Sequence, residues 1–254
     1  MKAMILAAGL GTRLRPLTDD RPKALVTLAG RTLLQITLER LRSFGVNEVI
    51  VNTHHYADMI LEYLAANQNF GIRIEVSREE VLLDTGGGLK NAALFFLDST
   101  GRSQDKADEP FILHNVDVIS TIDLGNMVRF HQQQAALATL AVQDRETSRY
   151  LLFDSQGQLQ GRSSTRTAAE GEPLAFSGIH IVSPRIFTKM TEDGAFSVID
   201  SYLRLANQGE RILAYRSDNS YWRDLGRPQS LIEAAQDIEA GKLAMPQQAV
   251  NCHL

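Results

Sequence analysis

The feature that most limits how this chain can fold is its first strand together with the glycine loop after it. Ala3 to Ala8 is a continuous apolar run that stops at Gly9-Leu10-Gly11. Such a run is too short for a membrane span and suits a strand buried on both faces, as in a parallel sheet. Strand and helix patterns then alternate. A helix near Thr32 to Phe44, ending at Gly45, precedes a short β-branched strand from Glu48 to Asn52. A helix near Tyr56 to Ala66 precedes a strand from Ile72 to Val76. Gly86-Gly87-Gly88 opens a helix running to about Phe96, and the polar segment from Asp98 to Glu109 leads into a strand from Phe111 to His114. This alternation predicts an α/β fold with a parallel sheet covered by helices on both faces. Ligands of such sheets sit at the carboxyl ends of the strands. The opening loop and the residues after His114 both lie at such ends.

The second half has a different pattern. Strands are expected at Ala136 to Val142, Leu151 to Phe153 and Ala175 to Val182, with a hairpin turn at Asp154 to Gly157. Gly161 to Gly171 is polar and is expected to be a mobile loop. Phe196 to Ala206 and Pro228 to Ile238 have helical patterns, and Leu243 to Leu254 is expected to be a weakly ordered tail. The chain has no internal repeat. At 254 residues it can bury the core of one α/β domain, placed at 1–240 with a tail at 241–254. A formal net charge of −4 argues against a general nucleic-acid surface, so local cations must do any phosphate binding. No signal peptide or long apolar span is evident, and no membrane association is expected. The only cysteine is Cys252, which excludes an internal disulfide and a cysteine metal site and makes the cytoplasm the expected location.

The loop after the first strand points to phosphate. Gly9 and Gly11 can take positive φ and let backbone N–H groups approach an anion. Arg13, Arg15 and Lys23 come directly after them, while Pro16 and Pro22 stiffen the segment. Two commoner phosphate motifs fail. There is no G-x-x-x-x-G-K-[ST], and the third glycine of G-x-G-x-x-G is Leu14. A dinucleotide-dependent oxidoreductase is disfavoured on the same spacing.

G-L-G-T-R-L-R-P-L-T, followed by R-P-K-A-L, resembles the signature of the sugar-1-phosphate nucleotidyltransferases. The resemblance implies a Rossmann-like three-layer α/β/α fold with a mixed, mostly parallel sheet. It also implies a nucleotide-binding half at about 1–117 and a sugar-phosphate-binding half at about 118–240. Members of the family join a nucleoside triphosphate to a sugar phosphate and release pyrophosphate. That reaction needs positioning, cations and usually Mg²⁺ more than an acid or base, because the attacking phosphate oxygen is already ionised. Leu6, Ala8, Gly9, Gly11, Thr12 and Arg13 are implied to bind the nucleotide. Arg13 would grip the β,γ-phosphates, and its planar fork suits phosphate. Lys23 would bridge the incoming phosphate and the α-phosphate. Mg²⁺ usually takes one or two carboxylates plus substrate phosphates. Asp117, in H-N-V-D-V, and Asp224, in Y-W-R-D-L-G-R-P, match the family's two metal aspartates, with Val116 where a small residue is common.

L-D-T-G-G-G resembles the family segment that lines the nucleobase, which brings in Asp84, Gly86 and Gly87. F-S-G-I-H-I resembles the strand that faces the sugar, placing Gly178 there and Asn115 near the sugar or ribose. Two departures fall on this side: Leu151 stands where the family has glycine, and only Glu172-Pro173 echoes its E-K-P segment. The adjacent pair His54-His55 points in different directions and is not expected to share a metal. His114 and Trp222 are read as packing residues. The T-G-G-G and F-S-G-I strings resemble uridylyltransferases of N-acetylmuramate 1-phosphate. The expected substrates are therefore UTP and that sugar phosphate or a related hexose 1-phosphate. A GTP-dependent mannose- or heptose-1-phosphate guanylyltransferase is the alternative. From another class, the alternative is a non-catalytic regulator that binds nucleotide sugars. A homo-oligomer is compatible with the sequence.

Overall fold

Thr32 begins the first helix with a hydroxyl that accepts from the Gln35 amide at 3.0 Å, an N-cap of the kind Thr favours. The same helix stops at Gly45, whose φ is +81°. There Gly45 N donates to Arg42 O at 2.9 Å and Val46 N to Leu41 O at 3.2 Å, the paired bonds of a Schellman terminus that glycine permits. The computed structural model in which these contacts are seen describes residues 1–97, 108–167 and 171–246. The expected tail from 247 onward, with Cys252, lies outside the described residues, as do 98–107 and 168–170.

Among the described residues the strands are β1 (Lys2–Leu6), β2 (Thr27–Leu28), β3 (Arg31–Thr32), β4 (Glu48–Thr53), β5 (Arg73–Arg78), β6 (Phe111–Asn115), β7 (Val118–Ser120), β8 (Ala138–Gln143), β9 (Tyr150–Phe153), β10 (Leu159–Ser163), β11 (Glu172–Val182), β12 (Ile212–Arg216) and β13 (Trp222–Asp224). The helices are α1 (Leu33–Ser43), α2 (Ala57–Ala66), α3 (Asp84–Asn91), α4 (Ala93–Leu97), α5 (Leu124–Gln133), α6 (Val198–Asn207) and α7 (Pro228–Glu239). No helix among the described residues is long and apolar enough to cross a membrane.

The chain divides into two units. The first comprises Met1–Leu82, Asn115–Thr121 and the described residues from Tyr221 onward. Its sheet is parallel: β1 pairs with β4 from Lys2↔Glu48 to Leu6↔Asn52, and β4 pairs with β5 from Glu48↔Arg73 to Thr53↔Arg78. Ala3, Met4 and Ile5 are fully buried, as are Val49 and Val51 on β4 and Leu34, Leu38 and Leu41 on α1. These are the two-face burial and helical apolar stripe that the sequence patterns predict. A separate antiparallel ribbon joins β7 to β13, pairing Asp224 with Val118 and Trp222 with Ser120.

The second unit takes the described residues of Leu83–His114 and Ile122–Ser220. Its axis is β11, which is antiparallel to β9 in its first half, to β6 in its second half, and to β8 on the other edge. β12 adds to β8 in parallel. The expected hairpin is present, with Asp154 Oδ1 accepting from Gln156 N at 2.8 Å and from Gln158 N at 2.9 Å. The apolar centre includes Phe96 stacked on Phe111 with ring centroids 3.9 Å apart. Elements without a counterpart in the sequence patterns include α5, β7, β12 and β13. The single helix expected up to Phe96 starts at Asp84 and is interrupted at Ala92. The first part of the expected mobile loop is strand β10, paired with β9.

Two histidines are buried in this unit. His180 shares a hydrogen bond of 3.1 Å with the Tyr202 hydroxyl, and burial followed by the neighbouring His114 pushes its pKa down to about 3. His131 lies 2.9 Å from the Thr139 hydroxyl, and burial followed by Arg185 pushes it down to about 4. Both are neutral in the folded state and would gain a proton on unfolding below the ordinary histidine range near 6.5. Their contribution is therefore fully present above about pH 6.5 and is lost as pH falls toward the folded values. Each should remove on the order of 1 kcal/mol of stability per pH unit in that window. Urea unfolding between pH 7 and pH 4.5 should show a shallower decline for His131→Gln than for the wild type, and parallel declines would contradict this account.

Candidate active site

The opening loop is set by a buried polar relay. Ala7 N donates to Asn52 Oδ1 at 2.7 Å, and the Asn52 amide donates to Glu79 Oε1 at 2.7 Å. Asn52 and Glu79 are both buried. The loop therefore leaves β1 in a fixed direction, with Leu6 half-buried, Ala8 buried and Gly9 exposed. Gly11 takes φ +66°, and its carbonyl accepts from Leu14 N at 2.8 Å and from Thr18 Oγ1 at 2.9 Å. A Cβ there would lie 3.0 Å from Thr18 Cγ2 and 3.2 Å from Lys23 Cβ. Conformation and space both call for glycine. Thr12 and Arg13 form the exposed start of a single 3₁₀ turn that ends at Leu14.

Four of the expected charged residues gather in this first unit. Lys23 begins the 3₁₀ turn after Pro22, and its ammonium forms an ion pair with Asp117 Oδ2. Asp117 is buried in the turn between β6 and β7. That turn is held at one side by Val116 N donating to Leu6 O at 3.2 Å, and at the other by Leu225 N donating to the Asp117 carbonyl at 2.8 Å. The β7–β13 ribbon brings Asp224 to the same end. Asp224 Oδ1 accepts from Gly226 N at 2.6 Å. A Cβ on Gly226 would lie 2.7 Å from Asp224 Oδ1 and 2.7 Å from Arg13 Nη2. Arg13 and Asp224 therefore reach the same side-chain-free space over Gly226. Asn115 is in this unit too, half-buried at the end of β6.

Several positioning residues give no clear signal in the sequence. Strand alternation sends Arg223 to the opposite side from Asp224. There its Nη2 donates to Asp237 Oδ2 at 2.6 Å, its Nη1 pairs with Glu233, and its Nε donates to the Tyr221 hydroxyl at 3.0 Å. Arg223, Tyr221 and Lys242 hold the Asp237 carboxyl down at about 2. This clamp fixes β13 on α7. Arg40, buried on α1, donates to the Ser120 carbonyl and steadies β7 from its other end. The hints in the sequence are Asn52 inside a β-branched strand and the charge pattern Arg223…Glu233…Asp237.

The remaining expected residues belong to the second unit. Asp84 is exposed with φ +57° and accepts from Thr85 N at 2.6 Å. The amides of Gly86 and Gly87 donate to the Phe196 carbonyl at 2.8 and 3.3 Å. A Cβ on Gly86 would lie 2.4 Å from the Phe196 ring, and one on Gly87 2.4 Å from Gly194 O. The tolerance of α3 for three glycines thus has a packing cause in the segment Gly194 to Phe196. Gly178, with φ +73°, sits in a bulge of β11 where the register jumps from Phe176↔Val142 to His180↔Leu140; positive φ in a bulge is a place for glycine. Gly87→Ala, which meets backbone and not a movable side chain, should cost about 1–3 kcal/mol. Urea unfolding measures this, and an unchanged midpoint would refute the packing cause.

Comparison with known proteins gives the family and the fold. The family model described as nucleotidyl transferase matches residues 2–241. The N-acetylmuramate alpha-1-phosphate uridylyltransferase of Caulobacter vibrioides is 35% identical, with 91% of this chain and 94% of that protein covered. The mannose-1-phosphate guanylyltransferase catalytic subunit beta of Xenopus tropicalis is 30% identical over 91% of this chain, which spans 63% of that longer protein. Among solved structures, UDP-glucose pyrophosphorylase complexed with UDP-glucose shares the fold at TM-score 0.76 and 18% identity, covering 94% of this chain and 98% of that one. HddC from Yersinia pseudotuberculosis complexed with GMP-PN does so at TM-score 0.72 and 22% identity, covering 93% and 99%. The Rossmann-like α/β fold with its mixed sheet is thus the fold of these transferases. The match over nearly the whole chain, on that fold, leads to one assignment: the chain belongs to the nucleotidyl transferase family, among the sugar-1-phosphate nucleotidyltransferases.

Proposed function

We propose that this enzyme condenses UTP with N-acetylmuramate 1-phosphate, or a related hexose 1-phosphate, and releases pyrophosphate. The observation that carries the substrate reading is the 35% identity to the Caulobacter uridylyltransferase over 94% of that protein's length. A GTP-dependent mannose-1-phosphate reading is the alternative, supported by relatives of which the chain spans 63%. The lone cysteine, Cys252, fits work in the reducing cytoplasm.

The chemistry asks for two anions to be brought together and for charge on the leaving pyrophosphate to be stabilised. In this reading the phosphate oxygen of the sugar 1-phosphate attacks the α-phosphorus, and the bond to pyrophosphate breaks in line. Arg13 holds the β,γ-phosphates, and Lys23 meets the incoming phosphate. The loop of Leu6, Ala8, Gly9, Gly11 and Thr12 holds the triphosphate end, with Asp84, Gly86 and Gly87 assigned to the base. Asn115 and Gly178 are assigned to the sugar. Asp117 and Asp224 suit Mg²⁺: they are hard oxygen donors at one end of one ribbon. Among the described residues no larger group of His, Cys, Asp or Glu forms a protein cage, in keeping with an ion that takes one or two carboxylates plus phosphates. When bound there, Mg²⁺ would neutralise phosphate charge.

A pyrophosphate-release screen of UTP, GTP, CTP, ATP and dTTP against a panel of sugar 1-phosphates tests the substrate reading. UTP with N-acetylmuramate 1-phosphate should be fastest, and release with GTP and mannose 1-phosphate instead would select the alternative. Asp117→Asn and Asp224→Asn should each cut turnover by about 10²-fold or more with the fold intact by circular dichroism. EDTA should stop the wild type and Mg²⁺ restore it; a near-wild-type rate in either variant removes that residue from the metal site. Arg13→Ala should slow single-turnover release on the order of 10²-fold, and unchanged single-turnover kinetics would remove Arg13 from the reacting phosphates.

A further inference from the structure

The two carboxylates assigned to the metal meet the cations of the opening segment differently. Asp224 Oδ1 accepts from the neutral Gly226 amide at 2.6 Å, and Arg13 shares with it the space over Gly226. Asp117 Oδ2 is paired directly with the Lys23 ammonium. The side chains of that pair are 14% and 11% exposed, so water screens their charges little. Both backbones are fixed. Lys23 starts a 3₁₀ turn in which Leu25 N donates to Pro22 O at 2.9 Å and Val26 N to Lys23 O at 3.1 Å. Its Cβ lies against Gly11, 3.2 Å from the place a Cβ would take there. Asp117 is held through its own carbonyl by Leu225 N at 2.8 Å. The part of the pair that can swing is the ammonium, on its flexible stem.

A divalent cation bound by Asp117 brings a double positive charge to a carboxylate that already holds an ammonium. In a poorly screened place the two cations repel, so the ion must displace Lys23 or stay out. A triphosphate changes this balance, because it carries more negative charge than a carboxylate and is itself a strong partner for lysine. We infer that Lys23 is the internal counter-ion of Asp117: it opposes a divalent cation arriving alone and gives up the carboxylate when phosphate draws its ammonium away. Metal and nucleotide therefore enter together, each tightening the other by the same factor. Lys23 then has a use in loading the site besides its proposed contact with the incoming phosphate. The inference rests on the reading of Asp117 as a metal ligand.

Mn²⁺, whose free-ion paramagnetic signal falls on binding, is titrated into the full chain without nucleotide. The wild type should bind it weakly, and Lys23→Met should bind it about 10-fold more tightly. Lys23→Arg, which keeps a cation, should stay near the wild type. The gain should vanish when Lys23→Met is combined with Asp117→Asn. A thermal melt checks the fold of each variant, and Lys23→Gln takes the place of Lys23→Met if the latter does not fold. No gain on removing the charge, an equal gain in Lys23→Arg, or a gain that survives Asp117→Asn overturns the inference. Calorimetric titration of UTP with and without Mn²⁺ tests the reading beneath it. Mn²⁺ should tighten UTP binding to the wild type and much less to Asp117→Asn. Equal tightening in both removes Asp117 from the metal site and the inference with it. Lost tightening in Asp117→Asn, without a gain in Lys23→Met, defeats the inference alone.

Discussion

The pairing of β7 with β13 is the contact on which the charged site depends. Neither Asp117 nor Asp224 would have a partner by local structure, because each lies at the end of a short strand at a different place in the chain. Three residue pairs suffice to align them. A ribbon this short is not stable by itself, so it is held from both sides. Arg40 on α1 takes the carbonyl of Ser120, and Arg223 ties β13 to α7 through Glu233 and Asp237. The Leu225 amide then closes on the Asp117 carbonyl. Rigid support of this kind is what a site built for charged ligands requires.

Much of this was legible where a residue type has one physical use. The apolar run of β1 and the Gly45 terminus of α1 each follow from local rules, and the structure agrees at both. The loop glycine Gly11 was legible for the same reason. The ribbon was not. Tyr221 to Gly226 has the composition of a turn, and a three-residue strand gives no alternation to detect. The helix α5 was obscured because Gly125 and Asn126 stand in its first turn, although Asp123 caps it through the Asn126 amide. Of the relay from Asn52 to Glu79 only the polar Asn52 inside an apolar strand shows locally, because the two side chains meet only once the strands are in place.

The glycines show how packing alone can account for a feature that sequence reading gives to a ligand. The run of three in α3 resembles the family segment that lines the nucleobase. Gly86 and Gly87 are in fact crowded by Phe196 and Gly194 of their own unit. That crowding does not remove the segment from the nucleotide, but it supplies a sufficient cause without one. Gly226 is different. The atoms that would obstruct a side chain there are the charged tips of Arg13 and Asp224, not packed carbon or backbone.

The interleaved makeup of the first unit bears on how the protein is made. Its parallel strands β1, β4 and β5 are complete within the first 78 residues and can begin to order early as the chain leaves the ribosome. Asp117 arrives midway, while Asp224 and the clamping helix come only near the end. A nascent chain therefore carries the cationic loop for about 200 residues before the second carboxylate is made. A chain that stops before Tyr221 therefore has the opening loop and Asp117 but neither Asp224 nor the helix that clamps β13.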